Sequence, residues 1–217
     1  FEDADLDQAV AGLISCKFRN AGQTCISANR IFVHKTVSSL FLEKLNKKMN
    51  SLKVGDGMLN NDIGPLISET AVRKVENNLL DASKKGANII SGGKRHSAGK
   101  FFFEPTLITN VNHKMKVFTD ENFGPIIPLI SFSDDEEVIR LANNTNYGLA
   151  AYFYTKKIER IWEMSERLDY GMFGINTGKI STYLNPFGGV KESGIGREGS
   201  STGLEPFLEK KFISWEL

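Results

Sequence analysis

Cysteine is scarce in this chain, with 2 in 217 residues. Two thiols cannot build a disulfide framework or a four-ligand zinc site, which favours a reducing compartment. The expected location is therefore cytoplasmic, or the mitochondrial matrix in a eukaryote. Charge of one sign is equally lacking: 27 Lys+Arg oppose 26 Asp+Glu, a net of +1. Both signs are interspersed, so neither a nucleic-acid footprint nor a membrane-surface helix is expected. Apolar runs are short, as in Ile126-Ile127-Pro128-Leu129-Ile130, far below the roughly 20 residues a membrane span needs. The chain opens Phe-Glu-Asp-Ala-Asp, without an initiator Met or signal peptide, and the expectation is a piece of a longer polypeptide. What is present suffices for a packed core: 41% hydrophobic and 24% charged residues.

Periodicity supplies the organisation. Leu6, Val10, Leu13 and Ile14 share a helix face within Phe1–Cys16, and Phe41, Leu45, Met49 and Leu52 mark a second helix. Ser68 is placed to cap a third, with Val72, Val75, Leu79 and Ala82 inward and Gly86 as its stop. Ser133-Asp134-Asp135-Glu136 is expected as a capping box for a fourth, and Ile158, Ile161, Trp162, Ser165 and Leu168 face one way in a fifth. Strands are predicted at 31–33, 88–91, 106–109, 126–132, 150–154 and 172–176. Strands alternating with helices imply α/β, with a largely parallel twisted sheet flanked by helices. Residues 186–203 should be Gly-rich loop, and the tail from Phe207 to Trp215 apolar and extended.

Three patterns imitate functional sites. Asp3, Asp5 and Asp7 resemble the start of a calcium loop, but its Gly position holds Gln8 and its final Glu position Ile14. Solvated acids at a helix start are the better reading. His34, His96 and His113 have no spaced ligand partners, so no metal is expected. Gly194-Ile195-Gly196-Arg197-Glu198-Gly199 matches a dinucleotide fingerprint in letters, yet a loop precedes it and no suitable acid follows. Phe18-Arg19-Asn20-Ala21-Gly22-Gln23-Thr24-Cys25 is different, because it sets a thiol beyond a polar, Gly-containing turn. Backbone donors at such a turn favour the thiolate, which is the nucleophile. The competing reading is a small buried hydrophobe. Cys16 has no such surroundings and is assigned to the core.

Arg19–Cys25 with Asn29-Arg30 resembles the catalytic-cysteine signature of the aldehyde dehydrogenase family. Glu121-Asn122-Phe123-Gly124-Pro125 is similar to its cofactor-facing turn. Asn185-Pro186-Phe187-Gly188-Gly189, with Lys191, Ser193, Gly194 and Gly196-Arg197-Glu198, is similar to its C-terminal signature. Within the family, Lys17–Asn20, Gly92–His96, Ala151–Tyr154 and Arg197–Ser200 look most like succinate-semialdehyde dehydrogenases.

The resemblance implies a covalent mechanism. Cys25 attacks an aldehyde, and its own N–H and an Asn side chain hold the thiohemiacetal oxyanion. Hydride passes to NAD or NADP, and a glutamate activates water against the thioester. Glu121 would bind the nicotinamide ribose and Phe123 pack near the nicotinamide; without the resemblance they are a surface acid and a core aromatic. Arg19, six residues before Cys25, would bind the substrate carboxylate with help from Ser181. A surface salt bridge is the plain alternative for Arg19.

There are departures. Ser27 stands where some relatives carry a second cysteine, so that disulfide switch is excluded. Lys179 occupies the substrate loop where an aliphatic side chain is expected. The family's catalytic Glu, oxyanion Asn, second carboxylate-binding Arg and coenzyme-binding domain all match positions upstream of Phe1. Residues 1–203 are therefore expected to be a catalytic domain, inactive by itself, and 204–217 an arm joining a homo-oligomer. An enzyme for another semialdehyde or an uncharged aldehyde, or a non-catalytic interaction module of the same fold, remain alternatives.

Overall fold

The computed structural model describes all of residues 1–217. Helix α1 (Leu6–Phe18) begins where the Asp5 carboxylate accepts the Asp7 and Gln8 N–H groups. The cap holds the helix start at Leu6, so Phe1–Asp5 precede it as a turn rather than extending it as the periodicity suggested. The neighbouring acids are equally structural: Asp7 pairs with Lys44, and Asp3 with Arg160. Strand β1 (Ile31–His34) then leads to α2 (Ser38–Met49), whose Leu45 and Met49 are fully buried. Removing each such side chain from water contributes about 2 kcal/mol.

Helix α3 (Glu69–Lys84) starts at Ser68, whose hydroxyl accepts the Ala71 N–H, and buries Val72, Val75, Leu79 and Ala82 as expected. Strands β2 (Asn88–Ser91) and β3 (Thr106–Thr109), the short helix α4 (Lys116–Thr119) and strand β4 (Ile126–Phe132) follow. Helix α5 (Asp135–Asn143) corrects the predicted box by one residue. Asp134, not Ser133, caps the helix through the Glu137 N–H, and the Glu137 carboxylate returns to the Ser133 N–H. Two adjacent residues could cap here, and the carboxylate that also complements the helix dipole takes the position. Strands β5 (Tyr147–Gly148) and β6 (Ala150–Phe153), helix α6 (Ile158–Arg167) and strands β7 (Met172–Ile175) and β8 (Val190–Lys191) complete the set.

The main sheet runs β1-β4-β3-β2, parallel except for the antiparallel β2 edge. Its central strand β4 is buried at all but one position, the pattern of a parallel strand covered on both faces. The parallel pair β6–β7 and the antiparallel pair β5–β8 stand apart from it. Most of the core lies among α1, α2, α3 and the main sheet, with a small satellite of Ile139, Phe153 and Met164 under β6.

Strands β1 and β6 are edges of separate sheets, and both line one apolar cleft of about 730 Å³. Phe1 stands at this cleft. Its backbone nitrogen donates to the Tyr154 carbonyl, and its ring meets Phe132 edge-on. The Arg160 guanidinium covers that ring and ties Glu2 and Asp3 to Asp135 of α5.

The Gly194–Gly199 loop has only the two-residue β8 before it and a short 3₁₀ turn at Thr202–Phe207 after it. A strand–turn–helix dinucleotide site is therefore not formed. Beyond that turn the tail pairs with no strand, leaving Leu208, Phe212 and Trp215 exposed.

Burial pushes the Asp3 carboxyl up, but the Thr155 hydroxyl, the Lys156 N–H and Arg160 outweigh it and hold it down at about 2. A carboxylate depressed in the folded state stabilises above its unfolded value of about 4 and loses that effect as pH falls through the folded value. Asp3→Asn should thus cost about 2 kcal/mol in urea unfolding at neutral pH. The gap to the parent should close between about pH 4 and pH 2; a gap independent of pH would contradict the ionic origin.

Candidate active site

Helix α1 ends at Phe18, and the chain turns sharply into the segment bearing Cys25. Asn20 and Ala21 adopt left-handed backbone (φ 52° and 56°), and Gly22 follows at φ 81°. Left-handed Asn is tolerated, whereas Ala is not without support from its surroundings. That support is dense. The Asn20 amide donates to the Gln23 carbonyl, and the Gln23 amide donates to the carbonyls of Asn20 and Pro65. The Gln23 side-chain oxygen accepts the Ile67 N–H, and the Thr24 hydroxyl donates to the Arg19 carbonyl. Ala21 itself is 1% exposed, so its methyl is locked in the core.

Gly22 has a second reason to be glycine. A Cβ there would collide with the Gly124 carbonyl, so the cysteine turn and the Glu121–Pro125 turn touch backbone to backbone. Asn29 joins them again, its side-chain oxygen accepting from the Asn122 N–H and amide while its own amide donates to the Asp120 carbonyl. Asn122 is fully buried and also bonds Val117 and Asn78. Two motifs about a hundred residues apart are thus one polar network, and a half-satisfied buried network of this kind would be costly.

The predicted residues fall into neighbouring places. Cys25 is exposed, and it lines the large cleft together with Glu121. Arg19 and Ser181 line an adjoining pocket of about 260 Å³, which shares Cys16, Ile26 and Tyr152 with the cleft as a common wall. Phe123 lies apart from both cavities, half exposed on its turn at φ 43°. It is therefore neither the core aromatic of the plain reading nor a wall of the cleft. Cys16 is buried as expected; burial raises its pKa, and its thiol donates to the Ile26 carbonyl. The Tyr152 hydroxyl donates to the same carbonyl and fixes the backbone next to Cys25.

The model of the aldehyde dehydrogenase family matches residues 1–213. The chain belongs to the aldehyde dehydrogenase family. The probable succinate-semialdehyde dehydrogenase [NADP(+)] of Sinorhizobium fredii is 53% identical over 98% of this chain and 44% of that protein. The 3-sulfolactaldehyde dehydrogenase of Pseudomonas putida is 52% identical over 98% of this chain and 44% of its own length. A solved structure described as an Escherichia coli NADP-dependent enzyme superposes with a TM-score of 0.95 at 51% identity, covering 96% of this chain and 44% of that one. The chain therefore spans less than half the length of the relatives it matches.

Sequence reasoning missed two features beside the candidate site. Lys17 is 1% exposed at the base of the cysteine turn, where burial pulls its pKa down to about 8 against Cys16 and Glu121. Its position beside the buried Cys16 on α1 was a usable signal, because Lys in a helix normally faces water. Asn78, which completes the Asn122 network, gave none: it is one polar residue on a mostly polar helix.

The contrast between the thiols is testable. Iodoacetamide at neutral pH should modify Cys25 faster than Cys16 by on the order of a hundredfold, since Cys16 reacts only through local opening. Peptide mapping reads the ratio, and equal rates would contradict the packing described for Cys16.

Proposed function

We propose that this chain is the nucleophile-bearing part of an NAD(P)-dependent aldehyde dehydrogenase that oxidises succinic semialdehyde to succinate. The observation that carries the reading is the pocket beside the Cys25 turn, which holds Arg19 and Ser181 and no acidic side chain. The relatives' names point the same way, since succinic semialdehyde and 3-sulfolactaldehyde both pair an aldehyde with an anionic tail. A guanidinium fork recognises such a head group in a fixed orientation, and the Ser181 hydroxyl adds a further donor.

With the tail held there, the aldehyde carbon lies toward Cys25. The thiolate adds to it, forming the C–S bond and sending the carbonyl π pair to oxygen. The Cys25 N–H donates to that oxyanion, and a preorganised donor of this kind is worth about 3–4 kcal/mol. A nicotinamide cofactor, when bound, would supply the hydride acceptor that collapse of the oxyanion requires. Glu121 fits a cofactor ribose, since it is exposed on the cleft that Cys25 lines. The resulting thioester is cleaved by water to the carboxylate, regenerating the Cys25 thiol.

The base for that water, the second oxyanion donor and most of the cofactor site belong to the part of the longer enzyme outside this chain. The 217-residue chain should therefore show no turnover. Residues 1–203 act as the catalytic unit, and 204–217 as the arm that adds its exposed apolar run to a neighbouring subunit.

In the full-length enzyme, Arg19→Leu should lower kcat/KM for succinic semialdehyde by roughly a hundredfold, the loss of a charge-assisted pairing with the substrate carboxylate. Butanal turnover should change no more than a few-fold. Equal loss for both aldehydes would overturn the carboxylate role of Arg19 and favour a dehydrogenase for uncharged aldehydes.

A further inference from the structure

We propose that Lys179 is a second cation of the anion pocket and a specificity-determining residue of this enzyme. The inference rests on the carboxylate-pocket reading of Arg19 and extends it to a residue where an aliphatic side chain is expected. Lys179 lines the same cavity as Arg19 and Ser181. No Asp or Glu lines that cavity, and neither Lys179 nor Arg19 forms an ion pair within the chain. Two residues with unneutralised cationic side chains therefore line one small cavity, together with Ser15, Thr24 and Ser181. Such an arrangement repels cations and is relieved by an anion.

The backbone under Lys179 is fixed. Its N–H donates to the Thr177 hydroxyl, and the preceding Gly178 packs so tightly on Gly12 of α1 that a Cβ there would strike the Gly12 carbonyl. The loop carrying Lys179 and the helix leading into Arg19 therefore meet backbone to backbone, which brings both residues to one cavity. The two act differently on an anion. Arg19 presents a planar fork that sets orientation, whereas the Lys179 ammonium is a mobile point charge at the exposed rim. It attracts the substrate tail equally in the ground and transition states, so its effect falls on KM rather than kcat. The substrate class favoured is an aldehyde whose tail ends in a compact oxyanion, carboxylate or sulfonate.

The test is steady-state kinetics of the full-length enzyme at low salt, comparing succinic semialdehyde with butanal. Lys179→Leu should raise KM for succinic semialdehyde roughly five- to tenfold, with kcat and the butanal KM unchanged. Lys179→Arg should restore the KM, and added salt should shrink the difference between Lys179→Leu and the parent. An unchanged KM in Lys179→Leu, with Arg19→Leu still selective, would overturn the role of Lys179 alone. Loss of selectivity in neither variant would overturn the carboxylate pocket itself. A fall in kcat for both aldehydes with no rescue by Arg would show a structural role for Lys179 and contradict the proposal.

Discussion

Everything at this site depends on the contact between Gly22 and Gly124. Two turns meet with no side chain between them, and only glycine at position 22 meets both the left-handed backbone and the approach to the Gly124 carbonyl. A methyl group there would add about 1–2 kcal/mol of backbone strain before any collision is counted. Because the turns touch, the Asn29–Asn122 bonds can close, and Glu121 comes to the cleft that Cys25 lines. Loosening the contact would separate the proposed nucleophile from the residue proposed to position its oxidant.

Helix α1 is the second common element. Its N-terminus is set by Asp5 and by the Asp3–Arg160 latch, its middle receives Gly178, and its end delivers Lys17, Arg19 and the cysteine turn. A side chain proposed to recognise the substrate tail is therefore positioned by the same rod that positions the thiol. Proximity of this kind matters in catalysis because a displacement of about 1 Å can cost a hundredfold in rate. The unpaired hydroxyl of Tyr154, pressed against Gly12, shows how little room the helix has on that side.

Much of this was legible in the residues. The stripe Val72, Val75, Leu79 and Ala82 after Ser68, and the apolar run 126–132, announced α3 and β4, because burial and capping act locally. The end of a helix is a competition between neighbours, which is why the sequence pattern points to Ser133 and the fold caps at Asp134. The left-handed pair Asn20–Ala21 carried no signal at Ala21, since only tertiary packing makes that conformation tolerable. The motif around Cys25 identified a thiol with special surroundings, but not which residues from elsewhere would meet it. Asn78 and Asn122 became partners only through the fold, and the sharing of one wall by the cleft and the Arg19 pocket is a property of three dimensions alone.

The central claim is that Cys25 carries the substrate covalently. The most direct measurement is acid-quenched mass spectrometry of the full-length enzyme turning over succinic semialdehyde with its nicotinamide cofactor. The account predicts a succinyl thioester on the peptide containing Cys25, absent from the Cys16 peptide and lost in Cys25→Ser together with activity. Turnover that persists in Cys25→Ser, or an acyl group found on Cys16, would contradict it.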